Sequence, residues 1–113
     1  MSYRILSGSV QGKAIKVTAS GSPGVDVHQG VVGTTDIDQV WVYVENRDTS
    51  DRVCTLEWGG TAADDRIEVT VEAGAGLKLV APGIPIQNEL VVKCFGSAPN
   101  VLYAFGYVHR IDS

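Results

Sequence analysis

Between Val53 and Val80 apolar residues recur at every second position, and that period limits what the chain can fold into. Ile67, Val69 and Val71 alternate with Glu68, Thr70 and Glu72. A period of two puts the apolar set on one face and the polar set in water, as in a half-buried strand. Cys54, Leu56 and Trp58 alternate in the same way with Val53, Thr55 and Glu57, and Leu77 and Leu79 bracket Lys78. Gly-Gly-Thr-Ala-Ala-Asp-Asp and Glu-Ala-Gly-Ala-Gly separate these three segments, so the stretch predicts an antiparallel meander.

The same period runs through the rest of the chain. Val40 to Val44, Val-Trp-Val-Tyr-Val, is the strongest single strand: three valines face one way, Trp41 and Tyr43 the other. Ala14 to Ala19, Leu90 to Phe95 and Val101 to Val108 read as further strands, and Val25 to Val32 as a weaker one in which Gly30 and Gly33 imply bulges or close backbone approach. Ala81 to Asn88 cannot be a central strand, because Pro82 and Pro85 have no ladder donor. Nowhere do apolar residues recur at three and four over three turns, so no helix is expected. About eight short strands predict an all-β antiparallel sandwich, immunoglobulin-like or jelly-roll. With 113 residues the chain is one domain, 1–113, in which 1–12 is a candidate extended arm, with Tyr3 to Leu6 pairing to its own sheet or to a neighbour's edge.

Composition narrows the function classes. Only 19% of residues are charged, which leaves much neutral surface and favours packing against other protein. A net charge of -4 with no basic cluster argues against nucleic acid, since Lys13 and Lys16 are merely a solvated pair. The first residues lack the apolar core of a signal peptide, and no apolar run reaches a membrane span. The expectation is a protein made in the cytoplasm, with Cys54 and Cys94 as reduced core residues; a disulfide between them is the lesser alternative.

No constellation of catalytic residues emerges. His28 and His109 lack metal-spaced partners. Asp64 and Asp65, ahead of Arg66, supply too few oxygens for calcium and read as a solvated loop or an ion pair with Arg66. Gly59-Gly60 is too short to cradle a phosphate. The expectation is therefore no catalytic residue, no metal, no cofactor and no enzyme. The aromatic residues carry more information. If the valines of the Val40 strand fill the core, Trp41 and Tyr43 point outward, and the closing strand poses the same choice between Tyr103, Phe105 and Tyr107 and the set Leu102, Ala104, Gly106 and Val108. Outward rings at strand centres suit a broad protein contact better than a sugar-stacking platform. The candidate interface is Tyr3, Ile5, Trp41, Tyr43, Tyr103, Phe105 and Tyr107.

From Val40 onward the sequence resembles small β-sandwich virion proteins of tailed bacteriophages. The likeness is carried by Val-Tyr-Val-Glu-Asn-Arg-Asp-Thr-Ser-Asp-Arg-Val-Cys-Thr-Leu-Glu-Trp-Gly-Gly, by the Gly turn before Leu77-Lys78-Leu79, and by the closing Ala-Pro-Asn-Val-Leu-Tyr-Ala-Phe-Gly-Tyr-Val-His-Arg-Ile. The resemblance implies a virion component assembled in the host cytoplasm. The implied role is a capsid decoration (cement) protein that binds the major capsid protein or other virion proteins as a homo-oligomer, with a trimer the natural geometry. The alternative is a carbohydrate-binding or adhesion module of a head or tail fibre. Neither nucleic acid nor membrane is an expected partner.

Overall fold

A computed structural model describes residues 1–112. Two antiparallel sheets pack face to face as a β-sandwich. The strands are β1 (Ser2–Ile5), β2 (Ile15–Val17), β3 (Val25–Gln29), β4 (Ile37–Asn46), β5 (Arg52–Trp58), β6 (Arg66–Val71), β7 (Leu77–Ile86), β8 (Val91–Gly96) and β9 (Leu102–Ile111). The front sheet runs β1-β9-β4-β7 with β2 also on β9, and the back sheet runs β3-β8-β5-β6. β1 pairs with Tyr107 to Arg110 and β2 with Leu102 to Ala104, so the two share one edge of β9. Counted as one interrupted edge strand, they make the expected eight. The order is then 1-8-3-6 over 2-7-4-5, that of a jelly roll rather than an immunoglobulin fold.

The core follows from the alternation. Val40, Val42 and Val44 of β4, Leu102, Ala104 and Val108 of β9, and Cys54 and Leu56 of β5 are fully buried between the sheets. Each such aliphatic side chain contributes about 1.5–3 kcal/mol relative to exposure. Gly106 continues the inward set of β9. A Cβ there would lie 2.0 Å from the Trp41 carbonyl oxygen, and Leu6 packs over the vacant position, its Cδ1 3.2 Å from that point. Leu6 is 1% exposed. Thus the segment after β1 is anchored by a core residue, and the N-terminal arm belongs to its own sheet.

The predicted meander is corrected. β5 and β6 pair as expected, but β7 leaves the back sheet and pairs with β4 on the front one. Alternation fixes which residues face inward, not which strand lies alongside. β7 has two inward groups to bury, Val80-Ala81 and Ile86, and the free edge of β4 accepts them. Its prolines hold as read: Pro82 and Pro85 lie on an edge strand. β7 also bulges twice against β4, at Gly83 and at Val80. Gly83 has φ 79, and a Cβ on it would meet the Trp41 ring at 2.7 Å. The bulge and the missing side chain together let the indole lie against backbone. β4 itself starts at Ile37, three residues ahead of the Val40 to Val44 core of the strand.

Candidate interaction face

Because the valines and small residues of β4 and β9 point inward, their aromatic partners point out together. Register places Ile5 beside Tyr107, Tyr107 beside Trp41, and Trp41 beside Pro82. The next rows are Phe105-Tyr43-Leu79 and Tyr103-Glu45-Leu77, and on the other side Tyr3-His109-Gln39-Pro85. All seven residues of the predicted interface therefore lie on the outer face of the front sheet. At strand and residue spacings the face measures about 20 by 20 Å, on the order of 400 Å².

Its rings are locked to one another. Trp41 and Tyr107 stack with centroids 5.0 Å apart and planes 4° from parallel. Tyr3 stacks on His109 at 4.7 Å and meets Tyr107 at 5.9 Å. At the opposite border the Arg47 guanidinium sits 3.8 Å above the Tyr103 ring while its Nε donates to Glu45 at 2.6 Å. Trp41, Tyr43, Tyr103 and Phe105 are half-buried by their neighbours. Tyr3 (74% exposed), Ile5 (51%), Leu77 (56%) and Leu79 (44%) stand open to solvent. Leu77 and Leu79 are part of this face although sequence reasoning placed them only in a strand; the missing information was the crossing of β7 to the front sheet.

Compared with known proteins, the chain matches no family model, no curated protein and no solved structure. Its chemistry must be read from its own side chains.

The polar cluster that sequence reasoning missed lies between the sheets at one end. Asp38 on β4 is fully buried and receives Arg110 Nε at 2.7 Å and Nη2 at 3.1 Å from β9, and contacts His28 Nε2 at 2.8 Å from β3. The Ser7 amide donates to His28 Nδ1 at 3.0 Å. Nδ1 is therefore the acceptor, and Nε2–H donates to Asp38. Both ring nitrogens are occupied, so the pair has no free position from which to move a substrate proton. Burial works against the Asp38 charge, but the hydrogen bonds from Arg110 and His28 and the charge of Arg110 outweigh it and hold the carboxyl below its ordinary value. The Asp38 hydrogen bond raises the Arg110 guanidinium in return. The cluster ties the Ser7 segment, the back sheet and the front sheet together. Residues 7, 28, 38 and 110 each look ordinary in the sequence, and no spacing links them.

The remaining candidates are closed or bare. Among the described residues no group of three or more His, Cys, Asp or Glu converges as a metal site. Asp64 and Asp65 occupy a 3-10 turn ahead of β6, and Arg66 leans toward the Phe95 ring, 5.5 Å from its centroid. An open apolar pocket of about 450 Å³ lies between Ile37, Trp58, Pro85, Ile86, Gln87 and Leu90. Two of its side-chain donors are already paired: Trp58 Nε1 donates to the Pro85 carbonyl at 2.9 Å, and Gln87 Nε2 to the Asp36 carbonyl at 3.0 Å.

Proposed function

We propose that the chain is a non-enzymatic structural protein of a tailed-phage virion, a capsid decoration protein that docks through the outer face of its front sheet. The observation that carries this reading is the unbroken row system from Tyr3 and Ile5 across Tyr107, Trp41, Phe105 and Tyr43 to Leu79. A contiguous apolar patch of a few hundred Å² is about the largest that a typical monomer exposes, and such patches are often functional. The jelly roll is shared by capsid proteins, lectins and other classes, so the fold is compatible with this role without selecting it. The virion assignment rests on the sequence resemblance from Val40 onward.

Protein is favoured over glycan by the way the rings are used. A sugar platform presents a free ring face at the rim of a cleft. Here Trp41 and Tyr107 cover each other's faces, and exposed Leu79 and Leu77 continue the face on the edge strand beside Tyr43 and Glu45. The size of the face also bears on mechanism. On the order of 400 Å² is about half of what each partner contributes to a standard stable interface. One such contact is weak. A trimer that sets three copies against a repeating lattice multiplies it through effective concentration, with no new contact needed.

The test is to add purified protein to capsids that lack it and to follow sedimentation and resistance to heat. Binding with increased heat resistance, abolished by Leu79→Lys together with Tyr3→Ser, is the expected result. Absence of both overturns the reading. Retention on a glycan array by the isolated domain, lost in the same variant, replaces it with the adhesion-module alternative.

A further inference from the structure

Two thiols sit in contact inside the back sheet. Cys54 on β5 and Cys94 on β8 are 1% and 0% exposed, with their sulfurs 3.4 Å apart. Register explains the approach. Cys54 lies opposite Gly96, which has no side chain, and Cys94 lies opposite Leu56. The Cys54 sulfur therefore turns along the inner face toward Cys94, two positions away on the adjacent strand. A disulfide needs the sulfurs at about 2.05 Å, so oxidation draws them together from 3.4 Å. Forty residues separate the two cysteines.

We propose that Cys54 and Cys94 form a conditional staple: a dithiol when the chain folds under reducing conditions, and an intramolecular disulfide when it folds or reopens in the presence of a small-molecule disulfide. The step balances as thiol–disulfide exchange. One cysteine loses its proton and its thiolate attacks a sulfur of the reagent, forming a mixed disulfide and expelling one thiolate, which is then protonated. The second cysteine, likewise deprotonated, attacks the protein sulfur of that mixed disulfide and expels the other half of the reagent as a second thiol. The two cysteines are oxidised by two electrons, and the reagent is reduced to two thiols.

Access gates the reaction. Both sulfurs lie on the inner face of central strands, so no reagent reaches them until the back sheet opens. The hydrogen bond it shares with Cys54, with burial behind it, pushes the Cys94 thiol well above its ordinary value. The folded pair is therefore held as thiols, the unreactive form. Redox state is set by the conditions under which the chain is open and is then retained by the closed core.

The experiment treats one sample of folded, reduced protein with oxidised glutathione, and a second that is unfolded and refolded in the same reagent. Readouts are intact mass, thiol titration in denaturant, and melting temperature. The folded sample is expected to keep both thiols for hours. The refolded one is expected to be monomeric, lighter by two hydrogen atoms and free of titratable thiol. It is expected to melt higher by on the order of 10 °C, with the gain reversed by a dithiol reductant. Glutathione adducts, cross-linked dimers or a lower melting point in the refolded sample overturn the staple. Rapid oxidation of the folded sample overturns the gating. Cys54→Ala should show no oxidant-dependent gain in melting temperature; if that variant does not fold, the mass and thiol count of the unaltered chain decide.

Discussion

On the outer face of the front sheet Trp41 lies flat on Tyr107, and leucines and tyrosines extend the patch to both edges. On the outer face of the back sheet Lys93 pairs with Asp26, Glu68 and Thr70 face water, and the 20–24 loop closes over Glu57. Both faces come from the same two-residue period over the same core. They differ in what finishes them. The back face is satisfied within the chain: Glu57, 0% exposed, accepts from Ser22 Oγ at 2.6 Å and from the Gly24 amide at 2.7 Å. The front face is covered only by its own rings and by Arg47 over Tyr103, and it leaves large apolar groups in solvent. The bare face is the one that the proposed docking uses.

The comparison breaks most severely where the two sheets are joined. Asp38→Ala leaves Arg110 and His28 without their shared acceptor in a buried setting, and the expected loss is about 3–5 kcal/mol in denaturant unfolding. Both faces should then fail together. The same group sets an acid limit. Its folded-state value is lowered, so its contribution is fully present above the unfolded value of about 4 and drains as pH falls through the folded one. Asp38→Asn should flatten that acid limb in a stability-versus-pH series. A loss of under 1 kcal/mol for Asp38→Ala would remove the cluster's role as the tie between sheets.

Next in size is the back face alone. Glu57→Ala strands the Ser22 hydroxyl and the Gly24 amide and should cost about 1–3 kcal/mol. Faster amide exchange should be confined to the 20–24 loop, with front-face docking unchanged. The front face should give the converse. Leu79→Lys and Tyr3→Ser touch residues already 44% and 74% exposed, so stability should shift by no more than about 0.5 kcal/mol. Capsid binding should fall at least tenfold. Equal losses of stability and binding would mean that the face is merely part of the fold. The smallest effect belongs to the exposed pairs, Lys93 with Asp26 and Arg47 with Glu45. Lys93→Ala and Arg47→Ala should each change stability by less than about 1 kcal/mol, less still in high salt.

The fold class was legible because side-chain period is a local property. Val40, Val42 and Val44 point inward, and Trp41 and Tyr43 outward, as their alternation requires, and the two prolines confined their segment to an edge. Strand partnership is not local. Nothing between Val71 and Leu77 says that β7 changes sheets, and so the meander was wrong and Leu77 and Leu79 were left out of the candidate face. Glu57 reads as a solvent-facing residue and becomes buried only because a loop some 33 residues earlier lies over it. The Asp38 cluster is assembled from four distant segments and is invisible until they meet.

The edges of the front sheet carry a consequence for solution behaviour. On one side β7 presents Pro82 and Pro85; on the other the border is split between two short pieces, β1 and β2. Neither offers a long, regular row of unpaired amides and carbonyls to an incoming strand. Strand addition at these two edges should therefore be disfavoured. Replacing both prolines with valine should lift that protection, visible as seeded growth of thioflavin-positive material. With the prolines in place, copies set side by side would not zip together through their front sheets.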